Sequence, residues 1–303
     1  MSAGVTFEEL FDPTFLNALS RWNLHARRVS GGGRHGQRLS KDLGAGIEFN
    51  DHRPYSPGDD LRAIDWNLYR RLGKVFVRLF EEEQDLPLYL VPDVSASLFL
   101  AQGGPPAIIA ALRSTLAFAT VGLNHHDSAG LFTLSDQLEV IFKPRAGQAQ
   151  IMTFARHLAR VAEAGGRGQT RLAESLQRLA LLNLRKGLLI VISDFFDPRG
   201  LDAVREALQA VRHRLVLVQL VRASDAHPEL QGDVRLTDCE SGEVADLTLT
   251  PRVLERYKAA YSAFNDGMVE IARQRHARLL RINVEGDLID QLSRLFEHGG
   301  FRV

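Results

Sequence analysis

Between residues 88 and 98 the chain reads LYLVPDVSASL, an apolar run that turns at once into Asp93, Ser95 and Ser97 at alternate positions. Two more short oxygen-bearing side chains have similar settings: Thr170 in the glycine-rich stretch GGRGQT, and Asp194 at the end of the apolar run LLIVISD. Two aspartates and three hydroxyls, without His or Cys, make a hard donor set. Mg²⁺ prefers octahedral oxygen coordination, keeps waters and takes one or two protein carboxylates. Zn²⁺ favours nitrogen and sulfur. The set therefore predicts Mg²⁺, or Mn²⁺, at Asp93, Ser95, Ser97, Thr170 and Asp194, and an incompletely filled shell would accept a carboxylate from a partner protein. The same residue types also serve as caps, and Thr170 precedes a predicted helix that it could cap. Pro92 removes a ladder donor just before Asp93, which a strand tolerates at its end. A turn displaced there would take Asp93 out of coordination.

Strands and helices in regular turn must position these residues, and the chain supplies them after Asp85. Strands are predicted at 86–91, 128–134, 138–142, 188–193, 215–221 and 279–284, with helices at 106–123, 149–162, 171–184, 201–211, 251–275 and 288–296. Such alternation marks a mainly parallel sheet with crossover helices on both faces, a Rossmann-like α/β fold. Sheets of this kind bind ligands at the carboxyl ends of their strands. Asp93, Thr170 and Asp194 each fall in a loop at that edge. An inserted β-hairpin at about 232–250 interrupts the alternation, with ESGE as its turn. We divide the chain into an N-terminal segment, 1–85, packed on a main domain, 86–303. Within the former, a helix is expected at 13–29, a short amphipathic helix at 61–71 and a strand at 74–80.

Composition sets the outer limits. The 303 residues are 45% hydrophobic and 24% charged, as in ordinary soluble globular proteins. The 37 basic and 37 acidic residues cancel, so no overall field attracts nucleic acid or an anionic membrane. The single Cys239 can form neither an internal disulfide nor a thiolate cluster, which fits a reducing cytoplasm. The N-terminus lacks a basic flank with an apolar core, and no apolar run of about 18 residues is expected to span a membrane.

The pattern Asp93-Val94-Ser95-Ala96-Ser97, with Thr170 and Asp194 in order behind it, closely resembles the von Willebrand factor A domain and its metal-ion-dependent adhesion site. The preceding segment, GIEFNDHRPYSPGDDLRAIDWNLYRRLGKVFVRLFEEE, resembles the signature of the bacterial domain-of-unknown-function 58 family. Its matching residues are Glu48, Phe49, Arg53, Tyr55, Pro57, Gly58, Asp59, Asp60, Arg62, Ile64, Asp65, Trp66 and Glu82. The resemblance implies a von Willebrand A-like domain and a MoxR-type AAA+ ATPase as partner, the two remodelling or maturing a client protein in chaperone-like fashion. Independently of any name, Pro57-Gly58-Asp59-Asp60 reads as a tight turn feeding an acidic helix start. Arg53 and Arg62 are then candidates to pair with Asp59, Asp60 or Asp65. The segment serves either as a structural latch or as a partner-binding surface.

Other constellations carry less. GGGRHGQR at 31–38 is basic and glycine-rich, but lacks the Lys-Ser/Thr ending of a P-loop. His125 and His126 fall at a helix end, where His complements the dipole. No G-x-S-x-G elbow, H-E-x-x-H pair or dinucleotide fingerprint is present. The sequence thus predicts a non-enzymatic, metal-dependent binding adaptor. The alternative is a hydrolase in which the same ion activates water.

Overall fold

The computed structural model describes residues 4–31, 48–57, 59–81, 86–101, 104–125, 127–166, 168–228 and 232–297. The glycine-rich run beyond Gly31, together with Gly58, Glu82 and His126, lies outside the described residues. Two compact units form, Ser30–Asp85 on one side and Met1–Val29 with Leu86–Val303 on the other. The N-terminal helices therefore belong to the larger unit. These are α1 (Phe7–Leu10), opened by a Thr6/Glu9 capping box, and α2 (Pro13–Gly31). Arg113 fixes them by donating to the Leu10 carbonyl at 2.7 Å, by pairing with Asp12 and by lying 5.3 Å over the Phe15 ring.

In the smaller unit, β1 (Glu48–Pro54) pairs antiparallel with β2 (Phe76–Glu81). The single helix expected at 61–71 is instead a 3₁₀ turn, Leu61–Ala63, followed by α3 (Trp66–Leu72). Asp65 is the reason: its carboxylate accepts from the Asn67 and Leu68 amides at 2.9 and 3.0 Å, which starts a new helix there.

The larger unit continues with β3 (Leu88–Pro92), α4 (Ala107–Asn124), β4 (Ser128–Leu134), β5 (Leu138–Ala146), α5 (Gln150–Glu163), α6 (Leu172–Leu181) and β6 (Leu188–Ser193). Then come α7 (Leu201–Ala210), β7 (Arg214–Val221), α8 (Ala223–Ala226), the hairpin β8 (Gly232–Thr237) and β9 (Val244–Leu249), α9 (Pro251–Gln274), β10 (Arg278–Asn283) and α10 (Leu288–Glu297). Six strands form one sheet in the order β10-β7-β6-β3-β4-β5, parallel except for the antiparallel β4–β5 edge.

Apolar runs build the central strands because both faces are covered. Along β6, Leu188, Ile190 and Ile192 enter one core while Leu189 and Val191 enter the other. The first core is roofed by α1, α2, α4, α5 and α10, the second by α6, α7 and α9. Contrary to the sequence expectation, α4 does reach the length and character of a membrane span, with 18 residues at a mean hydropathy of 1.4. Within this fold it is 83% buried as the core helix. Its Thr115 and Thr120 hydroxyls donate to carbonyls one turn back, at 2.7 and 2.8 Å, which lets a polar group sit in that interior.

Candidate functional site

β3 and β6 are parallel neighbours, so their carboxyl ends coincide, and there the chain places Asp93 and Asp194. Pro92 does not displace the turn. It is the last residue of β3, and the ladder resumes directly after it, with the Asp93 amide donating to Ile192 O and the Val94 amide to Leu134 O, both at 2.8 Å. Asp93 and Ser95 are fully buried, and the Ser95 amide donates to Asp93 Oδ1 at 2.9 Å. Ser95 precedes a short 3₁₀ turn, Ala96–Phe99, without capping it by its side chain. Its hydroxyl instead lies 3.0 Å from that of Ser97.

The turn is joined to Asp194 through a residue the sequence reading passed over. Ser193, fully buried, donates its hydroxyl proton to Asp93 Oδ2 at 2.7 Å and accepts from the Phe195 amide at 2.9 Å. Its oxygen lies 3.5 Å from Asp194 Oδ1. Asp194, half-buried, accepts from the Phe196 amide at 3.1 Å. Phe195 follows with φ of 65° although it is neither Gly nor Asn, and its side chain is fully buried. A left-handed aromatic residue costs about 1–3 kcal/mol, and such strain collects at functional positions. Phe196 stacks on Phe264 of α9 with centroids 4.5 Å apart, which anchors the loop from the other side.

Thr170 arrives on the loop before α6. That loop lies close against the 93–97 turn: the Ala96 amide is 3.5 Å from Gly168 O, and a Cβ on Gly166 would stand 2.6 Å from the Ala96 Cα. Glycine is required for that approach. Thr170 is buried and does not cap α6; Asp197 does so from the neighbouring loop by accepting from the Ala173 amide at 2.9 Å. Thr170 binds Glu240 at the hairpin tip, donating its amide to Oε2 at 2.8 Å and its hydroxyl to Oε1 at 2.7 Å. Glu240 is the second residue missed, because ESGE reads in sequence only as a turn.

Electrostatics sets this edge apart. Asp93 is pushed well above the ordinary carboxylate range by burial, with Glu240 adding to it, although the Ser193 and Ser95 hydrogen bonds oppose the shift. Asp194 is pushed up by withdrawal from water first, then by the charge of Asp93. Among the described residues no Lys, Arg or His pairs with either carboxylate. Nor does any group of three or more His, Cys, Asp or Glu stand ready to hold a metal among those residues. A set of two carboxylates and three hydroxyls falls outside that kind of cluster, and its chemistry fits a hard divalent cation.

The segment 53–66 forms its own network in the smaller unit. Arg53 pairs with Asp59 at 2.8 Å, while Asp59 accepts from the Ser56 amide and is held below the usual carboxylate range chiefly by that bond. Asp60 accepts from the Arg62 amide at 2.9 Å. Asp65 binds the His52 ring at 3.0 Å. Tyr55 is half-buried, and Trp66, Tyr69 and Leu72 are exposed.

The fold and this edge define a class: a mixed α/β protein whose mostly parallel sheet gathers buried oxygen donors at its carboxyl edge. The chain belongs to the DUF58 family of proteins of unknown function, which matches residues 51–266. It is 27% identical over 288 residues to the uncharacterized protein Mb1516 of Mycobacterium bovis, covering 94% of this chain and 90% of that one. The uncharacterized protein Rv1480 of Mycobacterium tuberculosis matches equally. Among solved structures it is similar to a conserved hypothetical protein BatB from Bacteroides thetaiotaomicron, with a TM-score of 0.43 and 13% identity over 71% of this chain and 98% of that one. An aerotolerance-related membrane protein from Bacteroides fragilis gives 0.43 and 14% over 71% and 100%.

Proposed function

We propose that this protein is a non-enzymatic, cation-dependent binding adaptor with a von Willebrand factor A-like domain. Asp93, Ser95, Ser97, Thr170 and Asp194 hold Mg²⁺ or Mn²⁺, and the centre accepts an acidic side chain from another protein. The observation that carries this reading is the pair Asp93, fully buried, and Asp194, half-buried, each raised above its ordinary range, with no cationic side chain paired to either among the described residues. Uncompensated buried charge is costly, and a bound ion relieves it.

A divalent cation would supply the positive charge that keeps both aspartates ionised and a position for an incoming carboxylate. The chain's own residues do the rest. Ser193 and the Ser95 amide fix the orientation of Asp93, the Ser95–Ser97 pair presents adjacent hydroxyls, and the left-handed Phe195 aims the Asp194 loop. The family resemblance supports a MoxR-type AAA+ ATPase as the partner, with client remodelling or maturation in the cytoplasm as the joint task.

Titration calorimetry of Mg²⁺ and Mn²⁺ into the wild type and Asp93→Ala, with thermal melts alongside, tests the centre. The wild type should bind one ion and gain about 2.7 kcal/mol when the ion is at a hundredfold excess over Kd. Asp93→Ala should lose both effects and, with them, Mg²⁺-dependent capture of the ATPase. Equal behaviour of the two proteins would defeat the reading. Turnover of phosphoesters or peptides by the wild type with either ion would favour a hydrolase instead.

A further inference from the structure

We infer that Glu240, at the tip of the β8–β9 hairpin, is a carboxylate built into the chain that takes both Thr170 donors and must be displaced before a partner's acidic side chain can dock there. The inference rests on the proposed reading of the Asp93 centre as a carboxylate acceptor and adds how that acceptor is kept closed.

Three observations lead there. The first is the contact itself: both oxygens of Glu240 are engaged, one by the Thr170 amide and one by its hydroxyl, at 2.8 and 2.7 Å. A charged acceptor on two donors is a strong, directional arrangement. An external carboxylate reaching Thr170 would meet these same donors already taken.

The second is the build of the tip. Asp238 accepts from the Glu240 and Ser241 amides at 2.7 and 3.0 Å, its own amide donates to Glu243 O at 2.8 Å, and Gly242 takes a φ of 74°. This turn holds Glu240 out as a fixed prong. Asp238 itself lies below the ordinary carboxylate range because of those amides.

The third is how little else secures the ribbon. Among the described residues β8 and β9 pair only with each other, Arg235 bridges Asp246 across them at 2.7 Å, and Leu236, Val244 and Leu247 are exposed. Among the described residues, every side-chain hydrogen bond from the tip to the rest of the unit runs through Glu240. A two-stranded ribbon is marginally stable on its own. Glu240 is thus the tie, and it brings a third negative charge towards Asp93 and Asp194. The contact is local and opposed by charge, so exchanging it for another carboxylate costs little fold energy.

The test uses the full chain and a defined probe: a cyclic peptide of the hairpin sequence Gly232–Leu249 carrying serine for Cys239, together with its Glu240→Gln counterpart. Each is titrated into the wild type, Glu240→Ala, Glu240→Gln and the tip control Glu243→Gln, with Mg²⁺ and with chelator. A tethered ligand competes at an effective concentration of about millimolar. Glu240→Ala and Glu240→Gln should therefore bind the acidic peptide at least about tenfold more tightly than the wild type and Glu243→Gln, and all should ignore the glutamine peptide. Equal affinity across the four proteins, or no binding to any, overturns the inference. Tighter binding by both Glu240 variants that is indifferent to Mg²⁺ supports the hairpin as a competitor while removing the metal reading. Mg²⁺ binding without any difference among the variants does the reverse.

Discussion

Asp93 and Asp194 contribute to the pH dependence of stability without added metal, against the opposite contribution of His213, whose ring burial pushes below the usual histidine range. Their folded values lie above the ordinary carboxylate range, so the folded state binds protons that the unfolded chain has already released. The stability from this source is fully present below the ordinary carboxylate value and is lost as pH rises through about 6 and about 7, where the pair titrates. Urea unfolding in chelator should accordingly show less stability at pH 8 than at pH 5. Asp194→Asn should flatten that slope, and Mg²⁺ should restore stability at pH 8. A slope unchanged by Asp194→Asn would contradict the assignment of the shift to that residue. Sequence made both aspartates visible, since each ends an apolar run. It did not reveal Ser193, whose hydroxyl is simply one more polar residue at a strand end until the parallel pairing of β3 with β6 sets it against Asp93.

At the level of elements, the glycine-rich loop before α6 decides whether Thr170 belongs to the centre. Gly166 permits the approach, because an added Cβ would meet the Ala96 backbone at 2.6 Å and the Phe99 ring at 3.1 Å. Backbone gives way poorly. Gly166→Ala should cost about 1–3 kcal/mol in urea unfolding and also weaken Mg²⁺ binding in calorimetry, since the loop must retreat with Thr170 on it. A loss of stability with unchanged Mg²⁺ affinity would show that Thr170 is not a ligand. The elements themselves were largely legible: β4 and β6 run where the apolar patterns end, and the other long elements of the larger unit differ by a few residues at their ends. The helix expected at 61–71 failed because amphipathic spacing continues through Asp65, whereas its side chain competes for the backbone and restarts the helix. The cap reading of Thr170 failed for a related reason, since Asp197 supplies that cap from a different loop.

Across the larger unit, the N-terminal helices complete a core that the main domain alone leaves open. Trp22 is 3% exposed, donates its ring N–H to Ser293 of α10 at 2.9 Å and packs on Phe296 at 5.6 Å. Trp22→Ala should therefore lower the urea-unfolding free energy by about 3–5 kcal/mol, a core loss rather than a surface one. A change below about 1 kcal/mol would mean that α2 is dispensable to the unit. By itself the sequence determined the alternation of strands and helices, the double burial of the central strands and the placing of Asp93 and Asp194 at the ends of two of them, whereas Thr170, on a loop between two helices, was not placed by it. Those follow from local periodicity and from the rule that parallel strands gather their following loops on one side. Only the tertiary structure decided that the first helices join the larger unit, that Ser193 bridges the two aspartates and that Glu240 closes on Thr170. Each depends on residues distant along the chain meeting through packing and strand pairing, and no local pattern of charge or hydropathy encodes such a meeting.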